Sequence, residues 1–120
     1  MDDRRRLRCG EPRPAAVVIV RAWSARLESA RVPAYLEHLD RSVKPALATL
    51  PGFVDAMVLE RRLDGAERPM SEVMVQTRWE SLRAIQAFAG DDISHAAVEP
   101  AAAALFDDYD GRVLHFQVIG

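Results

Sequence analysis

The chain has 120 residues, of which 49% are hydrophobic and 28% are charged, and this composition is typical of one globular domain. The formal net charge of -2 provides no attraction to nucleic acid, and no apolar run approaches the roughly 20 residues of a membrane span, so we predict neither partner. Cys9 is the only cysteine, which excludes an intrachain disulfide, and without a signal-peptide pattern we expect a cytoplasmic protein.

The start of the chain divides into a charged tail and a strand. Residues 1–14, MDDRRRLRCGEPRP, are charged and show no periodicity, so we predict a disordered tail there and a folded domain over residues 15–120. The β-branched run that begins at Val17 predicts a strand to about Ser24. This strand is apolar on both faces in its first half, which predicts a sheet that is covered on both sides.

Helical spacing follows between Ala30 and Leu50. Pro45 should kink or split this helix near Lys44, because proline lacks the N–H that an interior turn requires. His38 lies opposite the apolar stripe, so we expect its side chain in solvent. The stripe consists of Val32, Tyr35, Leu36, Leu39, Val43, Leu47 and Leu50.

The second half of the chain reads as a hairpin, a helix and a last strand. FVDAMVLERR and PMSEVMVQTRW predict two strands joined through an Asp-Gly turn. Ser81 can cap the next helix, Gly90 ends it, and Asp92 can cap a further short helical piece before the strand RVLHFQVIG. The order β-α-β-β-α-β predicts a ferredoxin-like α+β domain, with an antiparallel sheet and both main helices on one face.

The segment GDDISH, residues 90–95, raises the question of a metal site. Asp91 and His95 are about one helical turn apart and would provide two ligands. Adjacent aspartates usually point apart, however, and capping explains both Asp91 and Asp92. We therefore predict structural roles for the aspartates and no metal.

Three residues mark a candidate pocket. Arg21 and Trp23 share one face of the first strand, and His115 lies in the last strand, its neighbour in this topology. A buried arginine is unfavourable unless it is paired or hydrated, which points to a cavity, although an arginine that reaches solvent at the sheet edge fits the same pattern. We predict His115 and Arg21 as catalytic residues. The substrate-binding residues that we predict are Trp23, Trp79, Phe88 and Tyr109.

Two of these aromatic residues have alternative structural roles: Trp79 also fits core packing, and Tyr109 also fits the cover of a turn. The sequence contains no GxGxxG, P-loop, GxSxG, HExxH or CxxC motif. Its aromatic and basic residues do not interleave as they do on a nucleic-acid platform.

Three segments resemble a known family. TLPGF, RWESLRAIQAFAGDDISHAAVEP and YDGRVLHFQV are similar to segments of the antibiotic-biosynthesis-monooxygenase-like (ABM) proteins, which belong to the dimeric α+β barrels, and the likeness covers about residues 16–120. The resemblance implies a homodimer and a cofactor-independent monooxygenase, an oxidoreductase that acts on a small aromatic or hydrophobic molecule without metal or flavin. It leaves open whether the chain is catalytic, because the alternative is a non-catalytic small-molecule-binding or stress-related module of the same fold.

Haem-degrading members of the superfamily use an asparagine on the first strand, a tryptophan on the second helix and a histidine ten residues later. The resemblance puts Phe88 and Val98 at the tryptophan and histidine positions, His95 is three residues away, and the chain has no asparagine. The resemblance therefore implies no haem degradation of that type, and the chain also departs from the asparagine-assisted oxygenase site.

The strand sequences themselves predict a homodimer. The second strand alternates Val54, Ala56 and Val58 with Phe53, Met57 and Leu59, and the first and last strands are similarly apolar on both faces. Two helices cover only one face of such a sheet. A second copy is the simplest cover for the other face, since soluble monomers rarely expose large apolar patches.

Overall fold

The computed structural model describes residues 18–65 and 67–120, so the tail predicted over residues 1–14 lies outside the described residues. A 3-10 turn, Ser29–Arg31, precedes the first helix, and a π-turn, Leu39–Val43, joins it to the second. The strands are β1 Ile19–Glu28, β2 Phe53–Leu63, β3 Met70–Trp79, β4 Asp108–Tyr109 and β5 Leu114–Gln117, and the helices are α1 Val32–His38, α2 Lys44–Ala48, α3 Leu82–Ala89 and α4 Pro100–Ala103.

All strands pair in one antiparallel sheet of order β2-β3-β1, and β4 and β5 lie along the free edge of β1. β5 pairs with Ile19 to Ala22, and β4 pairs with Ala25 and Arg26. The predicted last strand, RVLHFQVIG, is limited to β5, and β4 is an additional short strand in the segment before it. β1 extends to Glu28, beyond the predicted end at Ser24. The predicted ferredoxin-like α+β fold is confirmed.

The first helical segment is interrupted where the sequence predicts it. The Lys44 N–H donates to the carbonyl of Leu39, five residues earlier, which closes the π-turn. The ring of Pro45 would clash with the carbonyl of Arg41 in a regular helix, and the wider turn relieves that clash. The kink expected near Lys44 is thus a π-turn directly before it.

Alternate residues of β1 face the helices, and we call this side of the sheet the helix face. At one end of β1, Leu27 packs in a core cluster with Tyr35 and Phe106. At the other end, Ile19 packs in a second cluster with Trp79. Between these two clusters lie the positions of Arg21 and Trp23, where a cavity replaces a filled core.

The opposite side of the sheet, which we call the open face, carries no helix from the described residues. Large apolar side chains remain exposed there, with Met57 at 50%, Leu114 at 60% and Phe116 at 53%. The strand register also puts polar side chains on this face, such as Gln76 and Arg78. Its apolar residues are Val20, Ala22, Met57, Leu59, Met74, Leu114 and Phe116.

An irregularity in β2 corrects the predicted strand faces. The register shifts between Phe53 and Asp55, so that Phe53 pairs with Trp79 and packs against it at 5.3 Å between ring centroids on the helix face. Met57 and Leu59 point to the open face instead. The prediction that all three share one face is wrong, because a bulge inserts one residue into the period-two pattern.

The segment after α3 is a loop rather than the predicted short helix. Gly90, with φ of 87°, ends α3 as expected. Asp92 Oδ1 then accepts from the Ser94 N–H at 3.1 Å and from the Ser94 hydroxyl at 2.7 Å, which closes a local turn. Within residues 18–65 and 67–120 no group of three or more His, Cys, Asp or Glu residues is arranged to hold a metal ion.

Among the helices that the structure describes, none combines the length and the apolar character needed to cross a membrane.

Candidate active site

A cavity of about 440 Å³ lies between the helix face of the sheet and the α1–α2 segment, with residues 95–99 along one side. Its wall is mostly apolar, a composition common in small-molecule sites. The apolar wall includes Trp23, Leu39, Val43, Val75, Phe88 and Val98. The polar groups that reach it are Arg21, His38, Ser42, Thr77, His95 and Glu99.

Arg21 is the cationic residue of the sheet wall. Its Nη1 donates to the Ile93 carbonyl at 2.5 Å and lies 3.0 Å from His115 Nε2. Its guanidinium carbon lies 5.9 Å from the centroid of the Phe88 ring, within the range of a cation–π contact. Burial lowers the pKa of Arg21 from its ordinary value, yet a guanidinium remains charged at neutral pH.

His115 contacts Arg21 but does not line the cavity. Because a guanidinium can only donate, His115 Nε2 must accept, which assigns a neutral ring with its proton on Nδ1. Burial lowers the pKa of His115, and the charge of Arg21 lowers it further. His115 thus lies next to Arg21, as the sequence predicts, but outside the cavity wall, whereas a catalytic role requires contact with the ligand.

Protonation of His115 should weaken the fold. The unfolded chain binds this proton near the ordinary histidine pKa of about 6.5, whereas the folded protein binds it only at lower pH. The contribution to the free energy of unfolding is therefore complete above about pH 6.5 and declines as the pH falls below that value. Urea denaturation between neutral and mildly acidic pH measures this decline.

The matched variant for this prediction is His115→Gln, whose amide oxygen can accept from Arg21 but cannot titrate in this range. We expect a shallower loss of stability on acidification in the variant. An identical pH dependence in both proteins would contradict the assignment of His115.

His38 lies in the wall of the cavity, and its position corrects the sequence prediction. Its side chain is only 16% exposed, and its Nε2 lies 3.1 Å from Glu99 Oε1. Its ring stacks on that of Tyr35 at 6.5 Å between centroids. The predicted exposure is wrong, because His38 lies in the cavity wall between the ring of Tyr35 and the residues before α4.

Tyr35 forms part of the same wall. Burial raises the pKa of Tyr35 to about 12, so its hydroxyl stays protonated at neutral pH. Its ring packs edge-on against Phe106 at 4.9 Å between centroids, which anchors α1 to the segment that follows α4.

The predicted substrate-binding residues separate into two groups. Trp23 and Phe88 line the cavity, as expected. Trp79 is fully buried in the core, where its Nε1 donates to Thr77 Oγ1 at 2.9 Å. Tyr109 is 42% exposed and packs on Trp23 at 5.9 Å without reaching the cavity. The alternatives of core packing for Trp79 and turn cover for Tyr109 therefore fit the structure.

No protein-family model matches the chain. No curated protein sequence matches it either.

Comparison with solved structures does give matches. A proposed antibiotic biosynthesis monooxygenase from Bacillus cereus is 17% identical, with a TM-score of 0.61 over 87% of this chain and 94% of that chain. The ActVA-Orf6 monooxygenase of Streptomyces coelicolor, solved with nanaomycin D, is 19% identical, with a TM-score of 0.55 over 88% of each chain. A haem-degrading protein from Mycobacterium tuberculosis is 25% identical, with a TM-score of 0.55 over 88% of this chain and 94% of that chain.

These three structures are similar in fold to this chain over most of their length. Identities this low relate the folds and leave the chemistry of each site to its own residues. The chain thus has the fold of the antibiotic-biosynthesis-monooxygenase-like (ABM) proteins.

Proposed function

We propose that this protein is a cofactor-independent monooxygenase that oxidises a small aromatic or hydrophobic molecule in the cavity beneath α1 and α2. The observation that carries the proposal is the cavity itself, about 440 Å³ with an apolar wall and a few convergent ionisable groups. The similarity to a monooxygenase solved with nanaomycin D supports a small ligand in this fold. The single cysteine is compatible with a cytoplasmic location, which is part of the proposal.

His38 is the base of the proposed reaction. With its Nε2–H donated to Glu99, the other ring nitrogen, Nδ1, accepts the proton of a phenolic hydroxyl. The Glu99 carboxylate holds this tautomer and stabilises the imidazolium that forms, as a carboxylate does beside a catalytic histidine. Arg21 is the cationic residue of the same cavity and favours an anionic molecule there.

The phenolate supplies the electrons for the rest of the reaction. A ring carbon forms a bond to molecular oxygen, which gives a hydroperoxide once a proton is returned. Loss of water from this hydroperoxide breaks the O–O bond and leaves a quinone. One phenol and one O₂ thus become one quinone and one water, so that no external reductant is needed.

The proposal is tested with a panel of naphthols and anthrones in air. We expect enzyme-dependent oxygen consumption in equal amount to quinone formation, and one ¹⁸O atom per product from labelled O₂. The anaerobic reaction is the control. Tight binding of several phenols without turnover would overturn the oxygenase and support the non-catalytic binding module.

Haemin with a reductant is a further arm of the same experiment. Phe88 and Val98 line the cavity at the positions where the resemblance puts the tryptophan and histidine of the haem-degrading proteins. Neither side chain offers a nitrogen to haem or its iron, so we expect no enzyme-dependent bleaching. Bleaching that is proportional to the protein would instead favour haem as the substrate.

A homodimer through the open face belongs to the same proposal. Leu114 and Phe116 are more than half exposed and lie on the open face beside Val20, and Met57 lies on the same face across Gln76 of β3. The ion pair between Arg78 and Asp55 lies on this face as well. Large exposed apolar side chains mixed with a few polar ones are the usual composition of a subunit interface.

Light scattering at micromolar concentration should give about twice the chain mass of 13.4 kDa. Phe116→Glu should shift the mass toward that of the monomer, because it puts a charge among the exposed apolar side chains of the open face. The matched control is Leu82→Glu, since Leu82 is 49% exposed on α3, away from the open face. A folded wild-type monomer under these conditions would contradict the dimer.

A further inference from the structure

The guanidinium of Arg21 is held by one of its three nitrogens. Nη1 carries two N–H groups, and its two partners are the Ile93 carbonyl and His115 Nε2. Within residues 18–65 and 67–120, neither Nε nor Nη2 makes a hydrogen bond to protein. The edge formed by these two nitrogens has the parallel N–H pair that binds both oxygens of a carboxylate.

The charge of Arg21 is also uncompensated within the described part of the chain, where no carboxylate lies within 4.0 Å of it. Its contacts are a carbonyl, a neutral imidazole and the face of Phe88. Among the described residues of the cavity wall, Glu99 is the only acid, and His38 is its partner. A guanidinium that is partly removed from water and lacks an anion favours an anionic ligand over a neutral one.

The surrounding wall suits an aromatic ring next to that anion. Phe88 and Trp23 line the cavity on either side of the strand position of Arg21. The ring of Phe88 is itself stacked on Trp79 at 5.4 Å between centroids, which fixes its position. A planar ring placed here has apolar contact on its faces, and His38 lies on the helical wall opposite the sheet.

We propose that the ligand is a hydroxylated aromatic carboxylic acid whose carboxylate binds the Nε–Nη2 edge of Arg21. The inference rests on the proposed function for the hydroxyl group, which lies toward His38, and adds the acid group that orients the molecule. His115 and the Ile93 carbonyl act as positioning groups, because they fix the opposite edge of the guanidinium and direct its free edge into the cavity.

Equilibrium binding tests this without any need for turnover. The probes are a hydroxynaphthoate and the corresponding hydroxynaphthamide, which differ in charge and hardly in shape. Isothermal titration calorimetry on the wild type should give about ten- to a hundredfold tighter binding of the acid, the range expected for charge-assisted hydrogen bonds. Arg21→Met should abolish this preference by weakening the acid alone, and Arg21→Lys should keep only part of it.

Arg83→Met is the matched control, since Arg83 is exposed on α3 and does not line the cavity, and it should bind both probes as the wild type does. Equal affinity of the wild type for acid and amide would overturn the proposal, even if Arg21→Met failed to fold. A preference that survives in folded Arg21→Met would also overturn it. A preference for the acid without oxygen consumption would reject the oxygenase and keep the carboxylate site. Oxidation of neutral phenols with no preference for the acid would keep the oxygenase and reject the carboxylate site.

Discussion

Replacing Gly52 with alanine should destabilise the protein by about 2 to 5 kcal/mol, the sum of a left-handed backbone penalty and an overpacking penalty. Gly52 has φ of 84° at the end of TLPGF, and a Cβ built on it would lie 2.5 Å from the Cβ of Ala84. Its carbonyl accepts from the Glu80 N–H at 2.8 Å, so the turn cannot move away from α3 without breaking that bond. Chemical denaturation measures the loss.

Gly65→Ala separates the two penalties. Gly65 has nearly the same φ, 85°, but an added Cβ there would meet nothing within 4 Å, so only the backbone penalty of about 1 to 2 kcal/mol remains. The double variant Gly52→Ala with Ala84→Gly removes the clash, and its loss should be smaller than the sum of the two single losses. Equal destabilisation at Gly52 and Gly65 would show that the contact with Ala84 does not matter.

Replacing His38 with glutamine should lower kcat by about 10² to 10⁴ on any phenol that the protein oxidises, the range that general-base catalysis supplies. KM should change little, because glutamine is similar in size and leaves Arg21 in place. Glu99→Gln should give a smaller decrease in kcat, since the histidine remains and only its partner changes. Steady-state kinetics across pH measures both effects.

Glu37→Gln is the matched control for Glu99→Gln. Glu37 is exposed on α1, the helix that carries His38, and it pairs with Arg41 rather than with a cavity residue. We expect wild-type kcat and pH profile in this variant. A His38→Gln protein with full kcat would remove His38 from the mechanism and leave the proposed oxygenase without its base.

Most of the fold could be predicted from residue periodicity. Runs of β-branched residues predict the strands. Ser81 caps α3 by accepting a hydrogen bond from the Ala84 N–H, and Gly90 ends the helix. The bulge after Phe53 could not be predicted, since the apolar residues on both faces of this strand give no sign of which residue is the inserted one. The loop over residues 91–99 could not be predicted either, because an aspartate such as Asp92 caps a turn as readily as it caps a helix.

The candidate site was predictable only where strand neighbours determine it. Arg21 and His115 are cross-strand partners, so topology and alternation bring them together. The contact between His38 and Glu99 depends on how the loop before α4 folds over α1, and neither residue carries a local signal for that contact. Their spacing of 61 residues, the difference between their sequence numbers, exceeds any helical or strand period.

The π-turn ties the length of the first helical segment to the cavity. Tyr35, Leu39, Val43 and Leu47 follow one another at intervals of four residues, and each interval in an unbroken α-helix would rotate the next side chain by about 40°. The wider turn absorbs much of this rotation, so that side chains before and after it face the same sheet. A one-residue deletion within the turn should restore regular helical bonding and keep Leu47 directed toward its cluster, because eleven residue steps bring an α-helix back to nearly the same face. The π-turn is therefore the place in this helical segment where one residue can be removed without turning the cavity wall away from the sheet.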